Sequence, residues 1–225
     1  FELFDSSFSG NSAYNSGGAY YGAYDVYLQG SGLNFSTNSA DHGNGGAIYQ
    51  DGLYAGYGDT ELLDSTFSGN YAALSGGGLL VQYQDTAVLD GLSIEANAVD
   101  RNYGGGLYLA ANNELALSHS NLCGNTADEG AGIYLASTVT SSVLNNNVIQ
   151  ENVATYGAGI SMVSEISTSV VNNTFVGNDA AKDGAAINMY TVSGEFTNNT
   201  ISHSVDGDGI VVDDASTPTT TAFTY

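Results

Sequence analysis

The sequence has very little positive charge. Lysine and arginine together number 2 among 225 residues, against 24 aspartates and glutamates, and the formal net charge is −22 at pH 7. A charge of this sign repels nucleic acid, anionic lipid and acidic polysaccharide, and so argues against all three as partners. It favours a protein that stays soluble where salt screens its self-repulsion.

Other features are also scarce. The single cysteine, Cys123, excludes an internal disulfide, and we expect it to be a small buried apolar residue. The chain has no tryptophan, one proline, and no apolar run long enough to span a bilayer. It shows no secretory signal and begins with Phe1, so we expect a processed chain or a segment of a longer one.

A repeat of two motifs fills most of the chain. The first is an apolar residue, two variable residues and asparagine, as in Phe67-Ser-Gly-Asn70. Its apolar residues stand at 8, 35, 67, 94, 122, 149, 175 and 201, a spacing close to 27 residues apart from one of 32, and the last copy has Ser204 in place of asparagine. The second is a glycine-rich triplet followed by an aliphatic or aromatic residue, as in Gly45-Gly46-Ala47-Ile48. Two motifs that keep one order through eight copies predict a solenoid.

The residue types decide which solenoid. Each repeat is rich in Gly, Asn, Ser, Thr and Val and contains short alternating segments such as Leu79-Leu80-Val81, which favour strands over helices. We therefore predict an all-β fold, a single right-handed parallel β-helix of about eight coils with three short strands per coil. We place the helix at 1–214 and a C-terminal cap, or an extended strand that links to a neighbour, at 215–225.

Stacked coils align equivalent residues in files. We predict that the asparagines turn the chain and bond coil to coil. This structural ladder comprises Asn11, Asn38, Asn70, Asn97, Asn125, Asn152 and Asn178. We predict three inward files: the apolar residues of the first motif, the residues that follow the glycine triplets, and those two positions further on. The glycines themselves are expected at corners that need positive φ.

The two motifs together resemble the repeats of polymorphic membrane proteins, which are autotransporter passengers of the bacterial outer surface. Gly45-Gly46-Ala47-Ile48 matches the second motif of that family residue for residue. The resemblance covers nearly the whole chain and implies secretion, surface display, and adhesion or self-association. The sequence departs from the family in having no translocator barrel, no disulfides and almost no basic residues.

Residues suited to catalysis are few. Lyases of this fold typically need a basic residue, and the two present, Arg101 and Lys182, stand three coils apart beside Asp100 and Asp183, as expected for solvated loop charges. Hydrolases of the fold use clustered carboxylates, for which the pairs Asp206/Asp208 and Asp213/Asp214 are the candidates. The three histidines occupy different positions in their coils, which argues against a shared zinc site.

Calcium binding and a contact face are the remaining candidate sites. Calcium takes carboxylate and carbonyl oxygens. The candidate calcium ligands are Asp206, Asp208, Asp213 and Asp214, with Asp128-Glu129 as a second cluster. A file of large side chains stands one residue after an inward position in each coil, and we expect it to point outward. There its members would contact sugars or another rod, or would simply stack on one another. This file comprises Tyr21, Tyr49, Leu80, Tyr108 and Tyr134.

These observations favour a non-enzymatic extracellular or cell-surface protein, serving as an adhesive element or as the subunit of a self-assembling fibre. A start without a cap and a strand-like tail favour head-to-tail assembly, and a fragment of a longer passenger is the rival interpretation. The expected partners are the protein itself, end to end or side by side, or surface glycans and proteins, without membrane insertion of this segment. The alternatives are a β-helical polysaccharide lyase or glycoside hydrolase, and a carbohydrate- or ice-binding module.

Overall fold

The computed structural model describes residues 1–24, 26–52, 58–84, 86–111, 114–136, 139–163, 167–213 and 221–224. Within these ranges the chain is all strand and turn, and no helix is long and apolar enough to cross a membrane. Strands pair only in parallel, each with the equivalent strand of the next coil. The predicted solenoid of parallel strands is therefore confirmed.

The coils build four sheets, which we name A to D in chain order, although not every coil has a strand in sheet C. Sheet A contains β1 (Glu2–Phe4), β5 (Leu28–Ser31), β9 (Asp59–Leu63), β13 (Thr86–Asp90), β17 (Glu114–Ser118), β20 (Ser141–Asn145), β24 (Ser167–Val171), β28 (Ser193–Thr197) and β31 (Thr221–Thr224). Sheet B contains β2 (Ser7–Ser9), β6 (Asn34–Ser36), β10 (Thr66–Ser68), β14 (Ser93–Glu95), β18 (Asn121–Cys123), β21 (Val148–Gln150), β25 (Thr174–Val176) and β29 (Thr200–Ser202).

Sheets C and D complete each coil. Sheet C contains β3 (Ser12–Ala13), β7 (Ser39–Ala40), β11 (Tyr71–Ala72) and β15 (Ala98–Val99), and resumes as β22 (Val153–Tyr156) and β26 (Asp179–Asp183). Sheet D contains β4 (Tyr20–Ala23), β8 (Ile48–Asp51), β12 (Leu79–Gln82), β16 (Leu107–Ala110), β19 (Ile133–Leu135), β23 (Ile160–Val163), β27 (Ile187–Tyr190) and β30 (Ile210–Asp213).

The coil differs from prediction in having a fourth face. Sheets A, B and D are the three predicted strands, while sheet C adds strands of two residues in the first four coils. These strands are short because the chain turns at the asparagine and leaves again for the glycine corner. The eight copies of the first motif, from Phe8 to Ile201, enclose seven full turns, about 34 Å of rod at roughly 4.8 Å per coil.

The three predicted inward files form the core. Phe67 pairs with Phe35 and Ile94, Leu79 pairs with Ile48 and Leu107, and all of these side chains are buried. The rings of Phe8, Phe35 and Phe67 stack, with centroids 4.9 and 5.1 Å apart. The ends of the files are less covered: Val212 in the last coil of sheet D is 45% exposed, and the end members Phe8, Tyr20, Ile201 and Ile210 are half-buried. No described coil follows to cover Val212.

The asparagine ladder lies in a single file at the corner between sheets B and C. From Asn38 onward, each Oδ1 accepts two hydrogen bonds from the asparagine of the preceding coil; Asn125 Oδ1 accepts from the backbone N of Asn97 (3.0 Å) and from its Nδ2 (3.1 Å). From Asn38 onward each Nδ2 also reaches back across one coil, as Asn125 Nδ2 does to the carbonyl oxygen of Ile94 (2.9 Å). The ladder therefore satisfies buried side-chain and backbone polar groups together.

A second polar file, at the corner between sheets A and B, escaped the sequence reasoning. It stands two residues before the apolar residue of the first motif. Asn147 Oδ1 accepts from the backbone N of Ser120, and Asn173 Oδ1 accepts from both nitrogens of Asn147. In earlier coils Ser65 and Ser120 play this part through Oγ, which accepts from the backbone N of Leu33 and Leu92. The mixture of Asn, Ser and Leu hides this file from a motif search.

Small residues build the tight corner between sheets C and D. The first glycine of each triplet has positive φ, as predicted; at Gly104 φ is +67° and a Cβ would lie 2.7 Å from the Cβ of Tyr108. Opposite it, alanines of sheet C and of the triplets form a separate buried cluster that includes Ala72, Ala154 and Ala158. Larger side chains would keep the turn from closing.

The C-terminal segment of the described chain continues the solenoid. Strand β31 pairs in parallel with β28 and extends sheet A by one rung. Residues 214–220 and 225 lie outside the described residues, and the predicted boundary between 1–214 and 215–225 stays a prediction.

The ladder gives a test of stability. We expect Asn125→Ala to lower the free energy of unfolding by about 2–4 kcal/mol, because it leaves the buried backbone N of Asn97 and carbonyl of Ile94 without partners. Asn11→Ala is the matched control, since Asn11 is exposed and its side chain bonds only to Asn38, and it should cost about 1 kcal/mol or less. Equal losses for the two variants in urea unfolding would contradict this role for the ladder.

Candidate functional site

The predicted contact face is covered along most of its length. Tyr21 is 50% exposed, whereas Tyr49 is 9%, Leu80 2% and Tyr134 7% exposed, and Tyr108 is half-buried. The expectation that this file points outward as an open stripe is therefore wrong beyond the first coil. The rings contact each other instead: Tyr108 and Tyr134 stack with centroids 5.4 Å apart, and Tyr21 and Tyr49 meet at a tilt of 30° with centroids 5.2 Å apart.

The covering has a physical cause in the glycine corner. The chain that enters each corner passes across the outer side of sheet D, and its glycine leaves no space for a side chain above the file. Tyr103, one residue before Gly104, lies against Tyr134 with ring centroids 4.3 Å apart. Burial raises the pKa of Tyr108, and burial together with the nearby Glu129 carboxyl raises the pKa of Tyr134.

The candidate calcium ligands are separate exposed side chains. Asp206, Asp208 and Asp213 are exposed, and Asp214 lies outside the described residues. Within the described ranges no group of three or more His, Cys, Asp or Glu side chains is placed to hold a metal ion. The structure thus brings no calcium site together from the described members of this cluster.

The two basic residues lie on the side of the rod between the asparagine and the glycine triplet of each coil, which we call the loop side; Arg101 is in the turn after β15 and Lys182 is in β26. Both Arg101 and Lys182 are exposed. Lys182 Nζ donates to Tyr156 Oη (2.8 Å) and lies 5.0 Å from the centroid of that ring, which raises the pKa of the lysine. Of the acids expected beside these residues, Asp100 accepts from Tyr71 Oη (2.6 Å).

Cys123 is not the buried apolar residue that we expected. It is the third residue of β18, points outward from sheet B, and is half-buried and free. The inward position of that strand is filled by Leu122, which is 0% exposed. Alternation along the strand therefore places the thiol on the outer surface.

A shallow cleft on the loop side is the strongest candidate site in the described part of the chain. It has a volume of about 340 Å³, and the structure forms it from three consecutive coils. Its lining residues are Asn102, Tyr103, Asp128, Glu129, Thr155 and Tyr156. We call it the loop cleft.

Backbone pairing between coils fixes the lining in two files. Tyr103, Glu129 and Tyr156 follow one another through parallel bridges, because each stands immediately before the first glycine of its triplet. Asn102, Asp128 and Thr155 form the adjacent file; the backbone N of Asp128 donates to the carbonyl of Asn102 (3.1 Å), and the N of Thr155 to the carbonyl of Asp128 (2.9 Å). The sequence holds this signal only as the position before each triplet.

The two carboxyl groups of the loop cleft differ in environment. Asp128 is exposed, and its Oδ2 accepts from the backbone N of Asn102 (3.3 Å). Glu129 is half-buried, and its Oε1 accepts from Ser161 Oγ (2.7 Å). Burial raises the pKa of Glu129, and the Ser161 hydrogen bond offsets part of that rise.

Chemically, the loop cleft offers two tyrosines, two carboxyl groups, an amide and a hydroxyl to an open groove. This set can donate to and accept from a polyhydroxylated ligand and can contact its apolar faces. Its two carboxyl groups would repel an anionic ligand, and Lys182, bonded to Tyr156, and Arg101, next to Asn102 in the sequence, leave no excess of positive charge there to attract one. The arrangement therefore suits a neutral sugar better than an acidic one.

The raised pKa of Glu129 makes a prediction about pH. A carboxyl group whose folded-state pKa is raised holds its proton more tightly when folded, so its ionisation removes stability as pH rises above the ordinary value of 4.5. We expect Glu129→Gln to unfold at progressively higher urea than the wild type as pH is raised from 4 to 7. Glu114→Gln, at an exposed position in sheet A, controls for the removal of one negative charge. A difference between Glu129→Gln and wild type that does not change with pH would contradict this assignment.

Comparison with known proteins gives one family. The family model described as "Right handed beta helix region" matches residues 37–185, about two thirds of the chain. No curated protein and no solved structure matches the chain. The match adds the hand of the coil to the parallel four-sheet architecture described above, and the chain belongs to the right-handed β-helix family.

Proposed function

We propose that this protein is a non-enzymatic extracellular structural element, a rigid β-helical rod that is displayed on a surface or assembled into a fibre. The observation that carries the proposal is the continuity of the interior files. The apolar file runs through every coil from Phe8 to Ile201, and the asparagine file from Asn11 to Asn178, without a missing member. In a chain built in this way, the recurring residues serve to extend the rod and to stiffen it.

Charge and side-chain placement support this function over catalysis. Of the two basic residues, Lys182 is bound to Tyr156, and Arg101 is exposed one residue before the loop cleft. The carboxyl pair at Asp206 and Asp208 is exposed, and the loop cleft is shallow and open to solvent. Glycosidases place two carboxyl groups across a bound sugar, in a site that excludes water.

The similarity to autotransporter passengers supports a location at the cell surface. Gly45-Gly46-Ala47-Ile48 is buried at the glycine corner, so this motif serves the architecture of the coil. The net charge of −22 suits a protein that works outside the cell in a salt-containing medium. Surface display and adhesion are thus proposed on the motif and the charge together.

The loop cleft favours one second candidate, a carbohydrate-binding or carbohydrate-active function. Tyr103 and Tyr156 are half-buried beside Asp128 and Glu129, which is a lining that sugars can use. We rank this function second because the cleft occupies three coils of a rod whose ladders run its whole length.

One experiment separates the two functions. Negative-stain microscopy of the purified chain in salt is expected to show filaments or bundled rods, and incubation with a panel of polysaccharides is expected to release no new reducing or unsaturated ends. Sustained turnover that is lost in Glu129→Gln, or in Asp206→Asn with Asp208→Asn, would overturn the structural function. Ser169→Asn, on the outer side of sheet A, is a control variant for that loss.

A further inference from the structure

The outer side of sheet B, which we call the B face, is unlike the rest of the surface. Its eight strands have three residues each; the middle one points inward, and the first and third point outward. The strands pair residue for residue through all eight coils, as in Thr66 with Ser93 and Ser68 with Glu95. The B face is therefore regular, with each outward residue in register with its counterparts in the adjacent coils.

The strands of the B face carry almost no charge on a strongly acidic molecule. The exposed Glu151 lies in the turn just after β21, and burial, Glu151 and Glu95 together raise the pKa of Cys123. The strands themselves contain one ionised side chain, Glu95, whereas the strands of sheet A contain six. Those six are Glu2, Asp59, Glu61, Asp90, Glu114 and Glu195. Glu95 Oε1 accepts from Ser93 Oγ and from Asn121 Nδ2 (3.4 Å), so neighbouring donors partly compensate its charge.

Hydrogen bonds between coils hold the outward side chains in place. Ser36 Oγ donates to Ser9 Oγ (3.0 Å), and Gln150 Nε2 donates to Asn121 Oδ1 (3.0 Å). Side chains that are already ordered lose less conformational entropy when a partner binds. Most of them are short Ser, Thr, Asn or Val residues, which allow a second surface to approach closely.

We propose that the B face is the lateral contact surface through which a second copy of this chain packs side by side with the first. Each copy carries a net charge of −22, so two copies repel through their acidic faces and meet with least repulsion where carboxylates are fewest. A two-fold arrangement would place the same face on both partners. This inference rests on the proposed structural function and names the surface that such assembly uses.

The size of the B face sets the strength of the contact. Eight strands of three residues make a strip about 34 Å long and about 10 Å wide, roughly 340 Å² in projection. Stable complexes bury about 800 Å² per partner, so a single pair is expected to be weak. Many such contacts along a bundle or on a crowded surface would act together.

The chain contains its own reporter for this contact. Cys123 is the one cysteine of the sequence, and it projects from β18 in the fifth of the eight strands of the B face. In a pair of copies related by a two-fold axis near this strand, the two thiols come within reach of a short bismaleimide. Cross-linking through Cys123 therefore measures contact at this face and at no other.

The test compares added charge on two faces of the full-length chain. Thr66→Glu with Thr174→Glu adds two carboxylates to the B face, and Val88→Glu with Ser169→Glu adds two to outward positions of sheet A in corresponding parts of the rod. Circular dichroism verifies that both variants fold. Cross-linked dimer and light scattering are followed from low salt to about 1 M NaCl, where the screening length falls to about 3 Å.

We expect wild type and the sheet A variant to form more Cys123-linked dimer as salt rises. At the same salt, the B-face variant should form about tenfold less dimer, because like charges would face each other across the contact. Equal loss in both variants would overturn the B face as the contact. Filaments or bundles that form equally well in the B-face variant and in wild type would also overturn it, while leaving the structural function standing. Polysaccharide turnover would overturn that function whatever the cross-linking result.

Discussion

The whole structure depends on one hydrogen-bonded relationship, in which each coil satisfies the polar groups of the coil beside it. Strands of two to five residues are too short to be stable alone, and no coil can bury its own apolar face. The asparagine at the B–C corner holds neighbouring coils together, because its side-chain amide bonds both to the next asparagine and to a backbone carbonyl one coil back. Register, core packing and corner geometry are therefore set by the same contact.

This internal constraint leaves the exterior free to vary. The longest motif spacing, from Phe35 to Phe67, arises outside the ladders, between the end of β8 at Asp51 and the start of β9 at Asp59. Both files pass through this coil unbroken, with Asn38 bonded to Asn70 and Phe35 stacked on Phe67. Acidic residues likewise concentrate on sheet A and on the loop side, while sheet B stays nearly uncharged. Surface properties can thus change without cost to the rod.

The sequence predicted what repeats with constant residue type. Asn70, Asn97 and Asn125 lie in one file as expected, and the inward positions at Leu79 and Leu107 are buried. The file at Ser65, Ser120 and Asn147 was missed, because different side chains make one bond there. The prediction of an open contact face at Tyr49 and Tyr134 was wrong. Strand alternation gives the direction of a side chain, but it does not show which segment of the chain covers that side chain. The loop cleft arises from such crossing segments and has no motif.

Residue-resolved hydrogen exchange along the asparagine file tests in-register stacking of the coils most directly. The backbone N–H groups of Asn70, Asn97 and Asn125 each donate to the side chain of the following asparagine, so they are protected only if the coils stack in this register. We expect these three amides to exchange among the slowest in the protein, at rates close to that of global unfolding. Exchange as fast as that of the exposed turn at Arg101 would contradict in-register stacking as the basis of the fold.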